Sequence, residues 1–209
     1  MKKKDVSLIY RHISYYRLMM NLLYSGGYKK RFQQIKQLIK TYNTTEILEL
    51  CFGDILIAKF CKENNIKWFG YDLNEYFVSK AKNKSYEAKC VDLSTISELP
   101  TMEICLIIGS LYHFHEEIHF LLSKMLNSSK IIFISEPIKN LSNSKNIIGW
   151  IARKSTNAGK GKIPFRYREN SLLEMLNEES KKLSFSYKII GYYKKDIVLV
   201  IEKNGKNQD

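Results

Sequence analysis

Three histidines stand close together at residues 113–119, in the segment His-Phe-His-Glu-Glu-Ile-His. The last five residues fit the pattern His-Glu-x-x-His, which on an α-helix places two imidazole groups one turn apart. Such a pair binds zinc, with the intervening glutamate as general base, so His115, Glu116 and His119 could belong to a zinc hydrolase. Glu136 is a candidate third ligand. The hypothesis depends on which secondary structure carries the segment.

The spacing of apolar residues changes along the chain. In residues 6–42 apolar side chains recur every three or four positions, which predicts two helices separated at Gly26-Gly27. From residue 46 onward, short runs rich in β-branched and aromatic residues alternate with helical stretches. The predicted strands are 46–50, 67–71, 87–91, 103–108 and 130–135, and the helices between them are 55–64, 75–82 and 116–126.

This alternation predicts a mainly parallel sheet with helices on both faces, because parallel strands need crossover connections. The end of the chain differs: a helix at 169–177 precedes strands at 183–193 and 196–203, whose short separation by Lys194-Lys195 predicts an antiparallel hairpin. The fold class is therefore α/β, a seven-stranded Rossmann-like sheet with a C-terminal antiparallel hairpin and an N-terminal helical cap. In this series the histidine segment follows a strand, and Glu136 ends another, which disfavours the zinc hydrolase.

The segment 47–58, Ile-Leu-Glu-Leu-Cys-Phe-Gly-Asp-Ile-Leu-Ile-Ala, resembles the first motif of the class I S-adenosylmethionine-dependent methyltransferases. In that motif an apolar strand ends in an acid, and glycines let the backbone approach the cofactor and turn sharply into a helix. Glu49 matches the acid and Gly53 the central glycine. Cys51 and Ile55 stand where the family usually has glycine; Cys51 is small enough for its position, whereas Ile55 departs from the motif.

Two later acids extend the resemblance, which covers residues 46–136 by motif. Asp72 ends the second strand 23 residues after Glu49 and matches the carboxylate that binds the cofactor ribose. Asp92 follows the third strand, where the family has an acid or amide beside the adenine. The resemblance implies methyl transfer with S-adenosylmethionine as cofactor, bound by Glu49, Cys51, Gly53, Asp72, Asp92, Gly109, Ser110 and Leu111.

Methyl transfer from a sulfonium needs chiefly a nucleophile in line with the methyl group, and it needs no metal. A hydroxyl acceptor would benefit from a base with a pKa near the operating pH. His113 is the first candidate and Glu136 the second, with Tyr112 as a residue that orients the acceptor. Structural packing at the strand ends is the alternative for all three.

The net charge of +13 is concentrated in two segments. Residues 1–44 contain ten Lys or Arg against one acid, and residues 139–168 contain eight against none. These flanks suggest an anionic small-molecule or cell-envelope glycan or lipid acceptor, and peripheral contact with an anionic membrane. An RNA methyltransferase, a non-catalytic cofactor-binding protein and a merely solvated surface stay open as alternatives; for RNA, the chain lacks an Asn/Asp-Pro-Pro-Tyr/Phe motif.

The length of 209 residues predicts one domain with appendages. We divide it into a helical cap at 1–44 and a methyltransferase domain at 45–209, with a basic substrate-side insertion at 139–168. The sequence shows neither a secretory signal nor an apolar run long enough to span a membrane. The four cysteines form no Cys-x-x-Cys pair. We therefore expect a cytoplasmic protein.

Overall fold

The computed structural model describes residues 12–138 and 165–204. Within these ranges the α-helices are α1 (Ile13–Leu23), α2 (Gln33–Thr41), α3 (Leu56–Glu63), α4 (Glu75–Lys82), α5 (Ile118–Ser128) and α6 (Glu169–Leu183). Short 3-10 helices cover Lys29–Phe32 and Leu111–Phe114. The strands are β1 (Glu46–Leu50), β2 (Lys67–Asp72), β3 (Glu87–Cys90), β4 (Ile104–Ile108), β5 (Ile131–Pro137), β6 (Phe185–Tyr193) and β7 (Asp196–Lys203). The predicted N-terminal segment up to Arg11 and most of the basic insertion, 139–164, lie outside the described residues.

The seven strands form one sheet in the order β3-β2-β1-β4-β5-β7-β6. β1 pairs in parallel with β2 and β4, and β7 pairs antiparallel with both β5 and β6, so the predicted fold class and closing hairpin are confirmed. The strand order changes direction between β1 and β4: β2 and β3 lie on one side of β1, and β4 and β5 lie on the other. A crevice forms at such a point, at the carboxyl ends of the parallel strands. β7 starts at this same edge, because Asp196 pairs with Pro137 at the end of β5.

Most predicted boundaries agree with the structure to within two residues, and one helix differs by more. The helix predicted at 116–126 is α5, which begins at Ile118 after a separate 3-10 helix. The helix predicted at 169–177 continues to Leu183, because Glu179 is buried and accepts hydrogen bonds from Lys182 on the next turn. It ends at Ser184 in the left-handed conformation (φ 53°).

Hydrophobic cores lie on both faces of the sheet, since β4 is buried at all five positions and alternate residues of β1 point to opposite sides. Leu48 and Leu50 pack with α5 and α6, and Ile47 packs with α2, α3 and α4. The N-terminal helices belong to the second core through Phe32, Ile35 and other buried residues. No helix within 12–138 and 165–204 is long and apolar enough to cross a membrane.

A buried ion pair fastens the N-terminal helices to the closing hairpin. Arg31 is 3% exposed and its Nε donates to the carboxylate of Asp196, which is fully buried. The hydroxyl of Tyr24 donates to the same carboxylate over 2.8 Å. Burial disfavours the charged guanidinium, but the carboxylate of Asp196 raises the pKa of Arg31 above its ordinary value. The guanidinium of Arg31 therefore stays charged inside the protein, and it depends on the Asp196 carboxylate for compensation.

The connection between α1 and α2 makes further contacts with the turn after β6. Lys194 donates to the backbone oxygens of Tyr24 and Ser25, and the Tyr193 hydroxyl donates to the oxygen of Gly27 over 3.1 Å. Residues near the two ends of the chain are thereby joined, so the N-terminal helices and the hairpin support one edge of the crevice together.

We expect Asp196→Asn to lower the free energy of unfolding by about 3–5 kcal/mol, because it leaves the buried charge of Arg31 uncompensated. Glu63→Gln makes the same acid-to-amide change in the exposed pair with Lys59 and should cost less than about 0.5 kcal/mol. Urea denaturation measures both. A loss below about 1 kcal/mol for Asp196→Asn would show that the pair does not carry this role.

Candidate active site

The turn between β1 and α3 has the backbone of a glycine-rich loop. Cys51 and Gly53 both lie in the left-handed region, with φ of 53° and 54°. The Cys51 N–H donates to the oxygen of Tyr71 over 2.7 Å, and the Gly53 N–H donates to the Asp72 carboxylate over 2.9 Å. A non-glycine residue in this conformation costs on the order of 1–2 kcal/mol. Cys51 thus adopts the geometry for which the family usually has glycine.

Ile55 departs from the motif without disturbing this turn. Its φ is −82°, an ordinary value, and its side chain packs against the core that contains α3. The neighbouring Asp54 is buried and accepts two hydrogen bonds from Arg17 of α1, over 2.8 and 2.7 Å. Tyr16, also on α1, has its hydroxyl 3.1 Å from the place a Cβ on Gly53 would occupy. Helix α1 therefore lies directly over the glycine turn.

Asp72 is the acid that organises the turn. Its two carboxylate oxygens accept from the backbone N–H groups of Gly53 (2.9 Å) and Asn74 (2.8 Å). The side chain is 8% exposed, and burial raises the pKa of Asp72 to about 6 although both hydrogen bonds lower it. A carboxylate offers about four lone pairs, so two acceptor positions stay available for a ligand.

The other predicted acids of this half of the crevice have different surroundings. Asp92 is half-buried just past β3 and accepts from the Ser94 N–H over 3.0 Å, next to the end of β2. Glu49 is 1% exposed and accepts from the indole N–H of Trp68 over 2.8 Å, so its carboxyl group faces the core. Burial raises the pKa of Glu49 well above its ordinary value.

The segment after β4 forms the other half of the crevice. Gly109 has φ of 67°, and a Cβ there would collide with the guanidinium group of Arg31. Ser110 is half-buried and precedes the 3-10 helix that contains Leu111, which is fully buried. Glycine is thus required at 109 by both its conformation and its neighbour.

Glu136, at the end of β5, holds the backbone of the segment after β4 through hydrogen bonds. It is fully buried and accepts from the N–H groups of Leu111 (3.0 Å) and Tyr112 (3.4 Å). Burial raises the pKa of Glu136 to about 8, so it holds a proton at neutral pH. A protonated, enclosed carboxyl group is poorly suited to remove a proton from an acceptor.

Tyr112 and His113 lie side by side in the 3-10 helix of this half. Their ring centroids are 4.0 Å apart, and the guanidinium carbon of Arg166 lies 3.5 Å from the centroid of Tyr112. Tyr112 is 6% exposed, whereas His113 is half-buried. Of the three predicted catalytic residues, His113 therefore has the greatest access to a ligand.

The geometry of a zinc-binding helix is not formed by the histidine segment. His115 precedes α5 and stacks on Phe165 (centroids 4.1 Å apart, planes 5° apart). His119 lies in the first turn of α5, and its Nδ1 is 2.7 Å from the carboxylate of Glu179. In the part of the chain that the structure describes, no three His, Cys, Asp or Glu residues form a group able to bind a metal ion.

Several polar residues of the crevice carry no local sequence signal. They are Arg17, Arg31, Arg166, Lys195 and Asp196. Arg31 and Asp196 are 165 positions apart, so neither spacing nor periodicity could have paired them.

No protein-family model and no curated protein sequence matches this chain. Among solved structures it is similar to the plantazolicin methyltransferase BpumL in complex with a pentazolic desmethylPZN analogue and SAH, with a TM-score of 0.67 and 15% identity over 91% of each chain. Magnesium protoporphyrin IX methyltransferase from Synechocystis PCC 6803 with bound SAH gives a TM-score of 0.60 and 12% identity, over 85% of this chain and 84% of that one.

Human N-acetylserotonin methyltransferase in complex with SAM gives a TM-score of 0.65 and 14% identity, over 94% of this chain and 58% of the human chain. The glycine turn, the acid at the end of β2 and the strand order agree with these likenesses. This chain therefore has the fold of the class I, Rossmann-like S-adenosylmethionine-dependent methyltransferases.

Proposed function

We propose that this protein is an enzyme that transfers a methyl group from S-adenosylmethionine to an anionic small-molecule acceptor. The observation that carries the proposal is the hydrogen bond from the Gly53 N–H to the Asp72 carboxylate, which joins the glycine turn to the acid at the end of β2. Solved proteins with this fold contain SAM or SAH. A pair of ribose hydroxyls can donate to the free lone pairs of Asp72.

The residues present fit the cofactor along one half of the crevice. Gly53 and Cys51 bring the backbone close to it, Asp72 would bind the ribose, and Asp92 would lie at the adenine end. Gly109, Ser110 and Leu111 would border it on the β4 side, whereas Glu49 is buried and accepts from the Trp68 indole, so we do not place it in direct contact with the cofactor. When bound, S-adenosylmethionine supplies an activated methyl group.

The chain's own contribution to catalysis is then positioning and proton removal. Glu136 positions the backbone of Leu111 and Tyr112, and Tyr112 supports His113 through ring contact. For a hydroxyl acceptor, the His113 imidazole would take the proton released as the oxygen–methyl bond forms, because its ordinary pKa is near neutrality. The acceptor would bind over the ends of β4 and β5.

The acceptor class rests on charge. Residues 139–168, which adjoin the end of β5, contain eight cations and no acid. The similar structures act on different acceptors, since their names refer to plantazolicin, magnesium protoporphyrin IX and N-acetylserotonin. None of these three names refers to RNA, so we favour a small-molecule acceptor over RNA and over a non-catalytic role. Cell-envelope glycans or lipids are the anionic acceptors we propose to examine first.

Helix α1 supports an additional proposal, peripheral contact with an anionic membrane. Tyr15, Leu18 and Leu22 recur at helical spacing on α1 and are 43%, 56% and 48% exposed. No acid occurs between residues 12 and 45, and Lys29 and Lys30 are exposed just beyond the helix. Apolar and cationic side chains on one exposed helix suit the headgroup region of a bilayer.

We expect the intact protein to bind SAH in calorimetry. Asp72→Asn should weaken that binding by about tenfold or more, because it removes a charged hydrogen-bond acceptor for the ribose hydroxyls. Glu98→Gln, the same change at an exposed residue, serves as the control. The affinity of the unaltered protein should also fall as the pH drops through about 6, where Asp72 takes up a proton. Absence of SAH binding by the unaltered protein would remove the methyltransferase proposal.

We expect His113→Ala to lower kcat by about 100-fold with a smaller effect on KM, because it removes the base. The assay follows transfer of a radioactive methyl group from S-adenosylmethionine to a hydroxyl acceptor, which is first identified by screening the anionic fraction of cell extracts. His119→Ala removes a histidine that binds Glu179 and should leave transfer unchanged. An equal loss of activity in the two variants would contradict the role of His113 and would favour the alternative in which His119 binds a metal ion.

For the membrane contact, we expect the protein to sediment at low salt with vesicles that contain phosphatidylglycerol, and less so as salt rises. The double variant Leu18→Ser, Leu22→Ser should reduce the bound fraction several-fold by removing apolar contact. Phe120→Ser, which alters an apolar residue that is 65% exposed on α5, is the control. Binding to structured RNA but not to vesicles would instead favour the RNA alternative.

A further inference from the structure

Two cations near the end of β5 are fixed on aromatic rings. The Lys195 ammonium lies 4.3 Å from the ring centroid of Tyr24, and the Arg166 guanidinium lies 3.5 Å from that of Tyr112. Both side chains are half-buried. Cation–ring contacts of this kind restrict the positions of the charged groups while part of each stays open to a ligand.

Their places in the fold put both cations on the acceptor side of the crevice. Lys195 belongs to the turn between β6 and β7, and its backbone oxygen accepts from the N–H of Ile138, just past β5. Arg166 precedes α6, and the ring beneath it belongs to the segment that Glu136 fixes after β4. Asp72 and the glycine turn belong to the opposite half, at β1 and β2.

The local charges do not balance. Within residues 12–138 and 165–204, neither Lys195 nor Arg166 forms an ion pair with an acid. Asp196 already accepts from Arg31 and Tyr24, and Glu136, whose pKa burial raises to about 8, already accepts from two backbone N–H groups. The adjoining segment 139–168 has no acid to contribute.

Arg31 adds to the excess. Its Nη2 is buried and has no hydrogen-bond partner among the described residues. The positive groups of this region are Arg31, Arg166 and Lys195, and the Asp196 carboxylate is already paired with Arg31. An oxyanion bound among these cations would reduce their mutual repulsion.

We propose that Lys195 and Arg166 form the subsite that binds a carboxylate or phosphate group of the methyl acceptor. The planar guanidinium can donate to two oxygens of such a group, and the ammonium supplies a second charge beside it. This inference rests on the proposed function and specifies where the acceptor's anionic group binds, over Tyr24 and Tyr112.

The subsite has a defined pH dependence. Burial, together with the charges of Arg31 and Arg166, lowers the pKa of Lys195 to about 8, whereas Asp196 and Glu136 act in the opposite direction and the Tyr24 ring lies against the ammonium. Lys195 is charged below that pH and loses its proton as the pH rises through it. The affinity for benzoate, whose own charge is constant in this range, should therefore fall between pH 7 and pH 9, and deprotonation of Glu136 adds to the fall.

The test titrates benzoate and inorganic phosphate, at constant ionic strength, into the full chain saturated with SAH and into the free chain. Backbone amide NMR shifts of Ile138 and Arg166 report binding. We expect Lys195→Met and Arg166→Met each to weaken binding about tenfold at pH 7, since each removes a charged partner. Lys188→Met, which removes an exposed cation from β6, should not.

Lys195→Arg provides a second readout that does not depend on tolerance of methionine. It should retain affinity at pH 7 and show a smaller decline toward pH 9, because arginine does not titrate there and only Glu136 still changes its charge. Preference for benzoate or for phosphate identifies which oxyanion the acceptor carries. Equal affinity in all variants, equal weakening by Lys188→Met, or an unchanged decline in Lys195→Arg would overturn the subsite.

SAH binding separates the two proposals. If SAH binds but the anions ignore Lys195 and Arg166, the subsite is wrong and the methyltransferase proposal stands. If the anions bind as expected and SAH does not bind at all, the subsite is real and the proposed reaction is wrong.

Discussion

The buried pair of Arg31 and Asp196 is the interaction on which the two halves of the chain depend. One partner precedes α2 and the other begins β7, so the pair joins the first helices to the last hairpin inside the protein. Removing two charges from water is costly, and the cost is compensated only while both partners and the Tyr24 hydroxyl are in place. Because the same guanidinium lies against Gly109, the pair also determines the shape of the crevice after β4.

Around this pair the crevice divides into two chemically different halves. In the turn after β1 the backbone takes left-handed conformations, and the carboxylate of Asp72 accepts from the N–H groups of Gly53 and Asn74. The same carboxylate can still accept hydrogen bonds from hydroxyl groups. At β4, β5 and the hairpin the half-buried polar groups include two cations on aromatic rings and a histidine. A neutral-to-cationic donor and an anionic acceptor would each meet complementary charge in such an arrangement.

The two faces of helix α1 carry different side chains. Its inner face covers the glycine turn through Tyr16 and the Arg17–Asp54 pair. Its outer face carries Leu18 and Leu22, and no other part of the described chain buries these two side chains. The same short helix therefore packs on the glycine turn with one face and exposes apolar side chains with the other.

Local sequence determined the order of strands and helices, the closing hairpin and the places of Gly53 and Asp72, because periodicity and strand-to-strand spacing are properties of neighbouring residues. It also placed Glu136 and His113 at strand ends, but their environments depend on residues far away in the chain. Only the tertiary structure enclosed Glu136 beneath two backbone N–H groups, separated His115 from His119, and turned Ile55 into the core. Only it brought Lys195 and Arg166 onto rings of distant segments, since burial and charge arise from contacts that no local pattern encodes.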